Sequence, residues 1–201
     1  MLKTVIFDLG NVLFFFDHGK MIQQIGTCCG INPDDLKKIF FQHQVQIAYE
    51  TGQINSGDIH RILSTHASKP FTLHEWMAAA SDIFTPNLSL WPVIETLKKR
   101  GMRLVLLSNT TDIHYNYLYS HYDILHKFDA KVLSYEVKAH KPQPLIFHKT
   151  LQQIHCAPNE CFYTDDIPEF ITGARKAGID SEVFTDVSSL KKHLYDRGCP
   201  I

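Results

Sequence analysis

Short apolar runs bounded by polar residues or glycine recur at Thr4 to Phe7, Arg103 to Leu107, Lys131 to Leu133, Cys161 to Tyr163 and Ser181 to Phe184, the pattern of strands buried on both faces. From Leu104 onward they alternate with stretches of helical periodicity: Asp112 to Ser120, Pro144 to Ile154, Glu169 to Ala177 and Val187 to Tyr195. Strands alternating with helices in this way predict a parallel sheet with helices on both faces, because parallel neighbours need a crossover between them. The first run breaks the rhythm: almost a hundred residues separate it from the second, where a crossover needs only about a dozen. That intervening stretch reads as helices. Asn32 is placed to cap one and Pro33 to open it, with Asp34 and Asp35 in its first turn; Thr72 and Glu75 have the spacing of a capping box. Trp91 to Arg100 reads as a further helix, closed by Gly101 before the second strand. The expected architecture is α/β, with a parallel-sheet core from residues 1–15 and 87–201 and an inserted all-α cap of three to four helices over residues 16–86.

Composition narrows this further. A chain of 201 residues with 44% hydrophobic content can bury one substantial core and has room for a smaller insertion beside it. Its 20 basic and 21 acidic residues leave a formal net charge of -1, and no Lys/Arg run offers a track for nucleic acid. The segment MLKTVIFDLG reaches an acid and a glycine too early for a signal-peptide core, and no stretch approaches bilayer-spanning length. A soluble, cytoplasmic protein with neither nucleic-acid nor membrane partner is expected; the sequence is silent on oligomeric state. Five cysteines without CxxC or zinc-ligand spacing are expected as reduced thiols, the adjacent Cys28 and Cys29 serving core packing. Twelve histidines are scattered singly from His18 to His193 without an HxH or HExxH pattern, and read as surface or interfacial residues.

In an open parallel sheet, ligands bind beyond the carboxyl ends of the strands, where the topology changes direction. Four such places carry chemistry-bearing residues: Asp8-Leu9-Gly10-Asn11, Ser108-Asn109-Thr110, Lys141-Pro142 and Asp165-Asp166. Phosphoryl transfer needs a nucleophile, donors and cations for the phosphate oxygens, and a metal to cancel accumulating charge. Asp8 can be the nucleophile. The Ser108 hydroxyl and the N–H groups of Leu9, Gly10 and Asn109 can ring a phosphate, and Lys141 can meet both phosphate and nucleophile. Mg²⁺ prefers hard oxygens, which Asp8, Asp166 and the Gly10 carbonyl can supply, with Asp165 behind them. Each element alone has an ordinary reading as helix-cap or turn chemistry. The set of four, in order, each at a strand end, makes chance the poorer account.

These segments, FDLGNV, LVLLSNT, HKPQPLIF and FYTDD, together with YETGQIN in the insertion and GARKAGI near the end, resemble the haloacid dehalogenase-like superfamily. The likeness spans essentially the whole chain. It points to the branch with a helical cap, and within it to bacterial sugar phosphatases similar to α-D-glucose-1-phosphate phosphatase. The resemblance implies a Rossmann-like core, a mobile cap, Mg²⁺ as cofactor, Asp8 as nucleophile and a small phosphorylated substrate, expected to be a sugar phosphate. Two positions depart from the family pattern. Gly10 stands where most phosphatases of the superfamily carry a second Asp that protonates the leaving oxygen, a role worth roughly 10²–10⁴ in rate. Asp17, with His18 beside it, is a candidate substitute; its other reading is a helix N-cap. Phe170 stands where a polar Asn is common after the double Asp, and Thr164 or Glu169 could compensate.

Two other functions fit parts of this pattern. A 2-haloacid dehalogenase shares the Asp nucleophile, the Ser and the Lys, needs no metal and also lacks the second Asp, but Asp165 and Asp166 would repel its carboxylate substrate. A noncatalytic phosphate-binding protein would account for Gly10 and Phe170.

Overall fold

A computed structural model of the protein describes residues 2–42 and 44–201, so that His43 of the twelve histidines lies outside the described residues. The strands are β1 (Thr4–Phe7), β2 (Phe14–Phe16), β3 (Phe84–Pro86), β4 (Arg103–Ser108), β5 (Ala130–Leu133), β6 (Cys161–Asp165) and β7 (Asp180–Val183). Five of them form a parallel sheet in the order β5-β4-β1-β6-β7, an α/β arrangement whose strand ends fall within one or two residues of the apolar runs in the sequence. Successive side chains leave opposite faces of a strand, and the two halves of the core divide accordingly. Val5, Phe7, Leu104, Leu106 and Phe162 pack to one side, while Ile6, Val105, Leu107 and Tyr163 pack to the other with Phe147. Each fully buried side chain of this size contributes about 1.5–3 kcal/mol, so the two layers together hold the central strands, and hence their carboxyl ends, in fixed register.

Between β2 and β3 lie the helices His18–Cys29, Pro33–Lys37, Val45–Glu50, Ser56–Ser64 and Leu73–Ser81, with a π-helical turn at Lys38–Gln42. Polar side chains start most of them: Asp17, Asn32, Asn55 and Thr72 each accept from a first-turn N–H, the last two within full capping boxes. Their inner faces gather Ile22, Ile25, Leu36, Ile59, Leu63 and Trp76 into a separate apolar cluster.

The insertion differs from the sequence expectation in two respects. Among the described residues it holds five α-helices and a π turn rather than three to four helices, because Pro33, Asn55 and Thr72 restart the helix at short intervals. At its base, β2 and β3 pair as an antiparallel ribbon, Phe14 opposite Pro86 and Phe16 opposite Phe84. Three residues per strand give no alternation to read, and an unbroken Phe-Phe-Phe run has none. No helix among the described residues is long and apolar enough to cross a membrane.

A polar clamp docks the insertion on the sheet. Asp112, at the start of the helix Asp112–His121, accepts from the Tyr49 hydroxyl at 2.7 Å and the Ser56 hydroxyl at 3.1 Å. Beside it Gly52, at φ 63°, comes so close to the Tyr135 carbonyl that a Cβ would lie 2.3 Å from the oxygen, a position open only to glycine.

Candidate active site

The site is assembled at the carboxyl ends of β1, β4 and β6. Phe7 is level with Leu106 on one side and Thr164 on the other; one step further along, Asp8 comes level with Leu107 and Asp165. Lys141 reaches this point from the loop between the helices Ser134–Val137 and Pro144–Leu151 and is only 1% exposed, against 6% for Asp8. Its Nζ donates to Asp8 Oδ1 at 2.8 Å, Asp165 Oδ2 at 2.5 Å, the Tyr163 hydroxyl at 3.2 Å and the Leu107 carbonyl at 3.3 Å. Tyr163 in turn donates to Asp165, two residues along the same strand face. The Phe170 ring lies 4.9 Å from the ammonium, so the position that departs from the family pattern meets the lysine through its aromatic face.

Asn109 is tied to Lys141 rather than pointed at a ligand. Its Oδ1 accepts from the Lys141 N–H at 2.7 Å and its Nδ2 donates to the Lys141 carbonyl at 3.1 Å, a two-point clamp on the backbone that presents the ammonium. Asn11, at φ 52°, donates from Nδ2 to Asp166 Oδ2 at 3.1 Å; asparagine is among the few residues that take up this left-handed conformation readily.

Burial pushes the Asp8 carboxyl up to about 7, against the pull of the Lys141 ammonium and with the Asp165 charge adding to it. Asp166 is also raised, by burial first, with the Asn11 hydrogen bond opposing and Asp165 adding. Burial alone would lower Lys141, but the carboxylates of Asp8 and Asp165 outweigh it and hold the ammonium above its ordinary value. Asp8, Asp165 and Asp166 each present an oxygen within 4.8 Å of the others. At that separation two like charges repel by about 3 kcal/mol at an effective dielectric of ~20. One ammonium against three carboxylates leaves the cluster short of positive charge, and its hard oxygens suit Mg²⁺.

Asp8, Leu9, Gly10, Ser108, Asn109, Lys141 and Asp166 all line one cavity of about 260 Å³ between the sheet and the inserted helices. Asp165 stands behind it, fully buried, with Oδ2 taken by Lys141 and Tyr163 and Oδ1 by the Ile167 N–H at 2.9 Å. Asp17 is not brought to the cavity: it is exposed, and its side chain caps the helix His18–Cys29 by accepting from the Lys20 N–H at 3.0 Å. His18, next in sequence, does line the cavity. Glu169 is exposed and outside the lining, and the Thr164 hydroxyl is buried without a partner among the described residues.

The space beside Gly10 is taken: a Cβ there would lie 2.9 Å from Cε1 of Phe16. The ribbon at the base of the insertion thus puts an aromatic edge where a longer side chain at position 10 would extend. The sequence pattern places Asn11 in the first of the four segments without a role, and gives none to Tyr163 or Glu50. Tyr163 was within reach of it, since it sits two positions before Asp165 on a strand; Asn11 and Glu50 depend on the backbone path.

The haloacid dehalogenase-like hydrolase family model matches residues 2–178. The chain belongs to that family. Among relatives, D-ribitol-5-phosphate phosphatase of Bacteroides thetaiotaomicron is 24% identical over 188 residues, covering 90% of this chain and 91% of its own. A haloacid dehalogenase family enzyme of the same organism, bt-2542, solved with magnesium and inorganic phosphate, superposes with a TM-score of 0.82 at 23% identity, over 94% of this chain and 99% of its own. L-2-haloacid dehalogenase from Xanthobacter autotrophicus superposes with a TM-score of 0.64 at 17% identity, over 98% of this chain and 83% of its own. These solved structures share this hydrolase's fold.

Proposed function

We propose that this hydrolase is a Mg²⁺-dependent phosphatase of a small phosphorylated metabolite and works through a phosphoryl group carried on Asp8. The observation that supports it most is the placement of Asp8 at the wall of a cavity between the sheet and the inserted helices with Oδ1 engaged by a buried ammonium. That leaves Oδ2 to form the new bond to phosphorus as the bond to the substrate's alcohol oxygen breaks, the alkoxide taking its proton from water, and the water that attacks in the next step returning one to solvent. Water then attacks the same phosphorus, the bond to Asp8 breaks, and phosphate departs with the carboxylate restored. Lys141 orients Asp8 and opposes the burial that favours its protonated form. The Ser108 hydroxyl and the N–H groups of Leu9, Gly10 and Asn109 are the donors for the phosphate oxygens. Mg²⁺, held by Asp8, Asp166 and the Gly10 carbonyl, would supply neutralisation of the phosphate's negative charge. Asp165 acts through Lys141, since both its oxygens are engaged.

A 2-haloacid dehalogenase would bring a substrate carboxylate up to Asp8 and Asp166, where a free cation would be wanted to offset the repulsion. The lining offers Lys141 as its one lysine or arginine among the described residues, and Lys141 is committed to Asp8 and Asp165. The decisive measurement is release of phosphate from acetyl phosphate with and without Mg²⁺, beside release of halide from 2-chloropropionate. Mg²⁺-dependent phosphate release that disappears in Asp8→Asn is expected; halide release without phosphate release would overturn the proposal.

A further inference from the structure

The names of the relatives suggest a sugar phosphate, but the wall that would face the leaving group has a different chemistry. Resting on the phosphatase reading, we propose that the substrate is the phosphate monoester of an apolar, ring-bearing alcohol rather than of a polyol. Away from Asp8 the cavity is walled by Phe16, Phe40, Phe41, Trp76, Phe84 and Phe170. A polyol brings a hydroxyl on every carbon, and each one buried without a partner costs about 1–3 kcal/mol, so a polyol site needs a row of uncommitted donors and acceptors. Several of the polar groups here are already engaged. The Gln46 amide donates to Glu50 Oε1 at 2.7 Å, and His114 Nε2 bonds the Ala80 carbonyl at 3.1 Å. The Tyr49 hydroxyl bonds Asp112 at 2.7 Å and Ser56 at 2.8 Å. His18 lies against the rings of Phe16 and Phe41, at 4.9 and 5.8 Å between centroids. Glu50 Oε2, Gln46 Oε1 and the Trp76 Nε1–H, which has no partner among the described residues, remain for a few polar substituents.

Two further observations agree. Phe16 fills the space beside Gly10, so even the position adjoining the nucleophile is apolar. The cavity, at about 260 Å³, lies below the roughly 300–1,000 Å³ of sites for drug-sized ligands, leaving room for a phosphate and about one ring. Edge and face contacts with several aromatic side chains suit such a ring.

The test compares 2-phenylethyl phosphate with ribitol 5-phosphate, both esters of primary alcohols, so that the strength of the breaking bond is similar and the wall decides. With Mg²⁺ present, kcat/KM for 2-phenylethyl phosphate is expected to exceed that for ribitol 5-phosphate by roughly 10- to 100-fold, the range that burial of one ring supports. In Phe16→Gln and Phe41→Gln, both at partly exposed positions, the ratio is expected to fall by about fivefold or more; a folding defect would lower both rates and leave the ratio alone. Equal or better turnover of ribitol 5-phosphate overturns the inference while leaving the phosphatase reading intact, as does a ratio unmoved in both variants. Absence of phosphate release from both esters and from acetyl phosphate overturns the phosphatase reading and the inference together.

Discussion

Replacing Lys141 by methionine keeps most of the side chain's length and apolar stem but removes the one ammonium facing Asp8 and Asp165, at 2.8 and 2.5 Å. Removing one partner of a buried ion pair costs ~3–5 kcal/mol, because the other charge stays desolvated. For a chain of this size, that corresponds to a fall in Tm of roughly 10 °C. The loss should depend on pH, and its sign follows from Asp8. Burial already holds this carboxyl at about 7 in the folded protein, against an ordinary ~3.9 unfolded. The folded state therefore binds the extra proton between those values, and the associated stability is present at low pH and lost as pH rises through 7.

Without the lysine the folded value rises further. The deficit of Lys141→Met relative to the parent should thus be largest near pH 8 and shrink toward about pH 5, as Asp8 takes up a proton. Mg²⁺ should recover more of the variant's Tm than of the parent's, since it meets the same need for positive charge. Thermal unfolding across this pH range, with and without Mg²⁺, reads both effects. A deficit that is the same at every pH would mean that the lysine contributes packing alone, and would refute the electrostatic account.

Gly10→Asp must displace the edge of the partly exposed Phe16 ring and should cost about 1 kcal/mol of stability or less; paired with Phe16→Ala it should raise turnover of alkyl phosphates roughly 10-fold or more, whereas equally fast turnover in the single variant would show that the ring moves freely. Asn109→Ala removes both bonds to the Lys141 backbone and should lower kcat by about 10-fold or more while KM changes little, as steady-state kinetics would reveal. Because the Asp8 carboxyl sits at about 7, protons and Mg²⁺ compete for it, and the apparent Mg²⁺ affinity measured by calorimetry should fall roughly tenfold per pH unit below that value; an affinity flat from about pH 8 to 5 would contradict this. Burial lowers His114 to about 4, so the unfolded chain takes up its proton first as pH falls below ~6.5; His114→Gln should make the protein less acid-labile by up to about 3 kcal/mol between those values in denaturant titrations.

The sheet was legible because each of its strands is a short apolar run, and buried parallel strands need nothing subtler. The gathering of four distant segments was legible for a related reason: when strand order reverses beside β1, the ends of β1, β4 and β6 become neighbours. Other features depend on through-space contacts that local pattern does not encode. Asn109 reads as a phosphate-loop residue, yet its side chain holds the Lys141 backbone 32 positions away. Asp17 had two readings in the sequence, and only the path of the chain into the helix His18–Cys29 shows that its carboxylate is used as a cap.

The contrast between the two walls of the cavity follows from the same distinction. Chemistry at the sheet end is set by residues whose identity is the signal: a carboxylate, a lysine and paired acids have few uses when they meet in a buried crevice short of one charge. The opposite wall is made of phenylalanines and a tryptophan, which have the same appearance in a sequence whether they fill a core or face a ligand. Ile25 and Phe40 illustrate it, being part of the insertion's own apolar cluster and of the cavity lining at once. A sequence can therefore specify the reaction before it specifies the substrate. What selects the substrate is which polar groups the fold has left uncommitted: here Tyr49 and His114 are tied to the protein, while Gln46 Oε1, Glu50 Oε2 and the Trp76 Nε1–H are not.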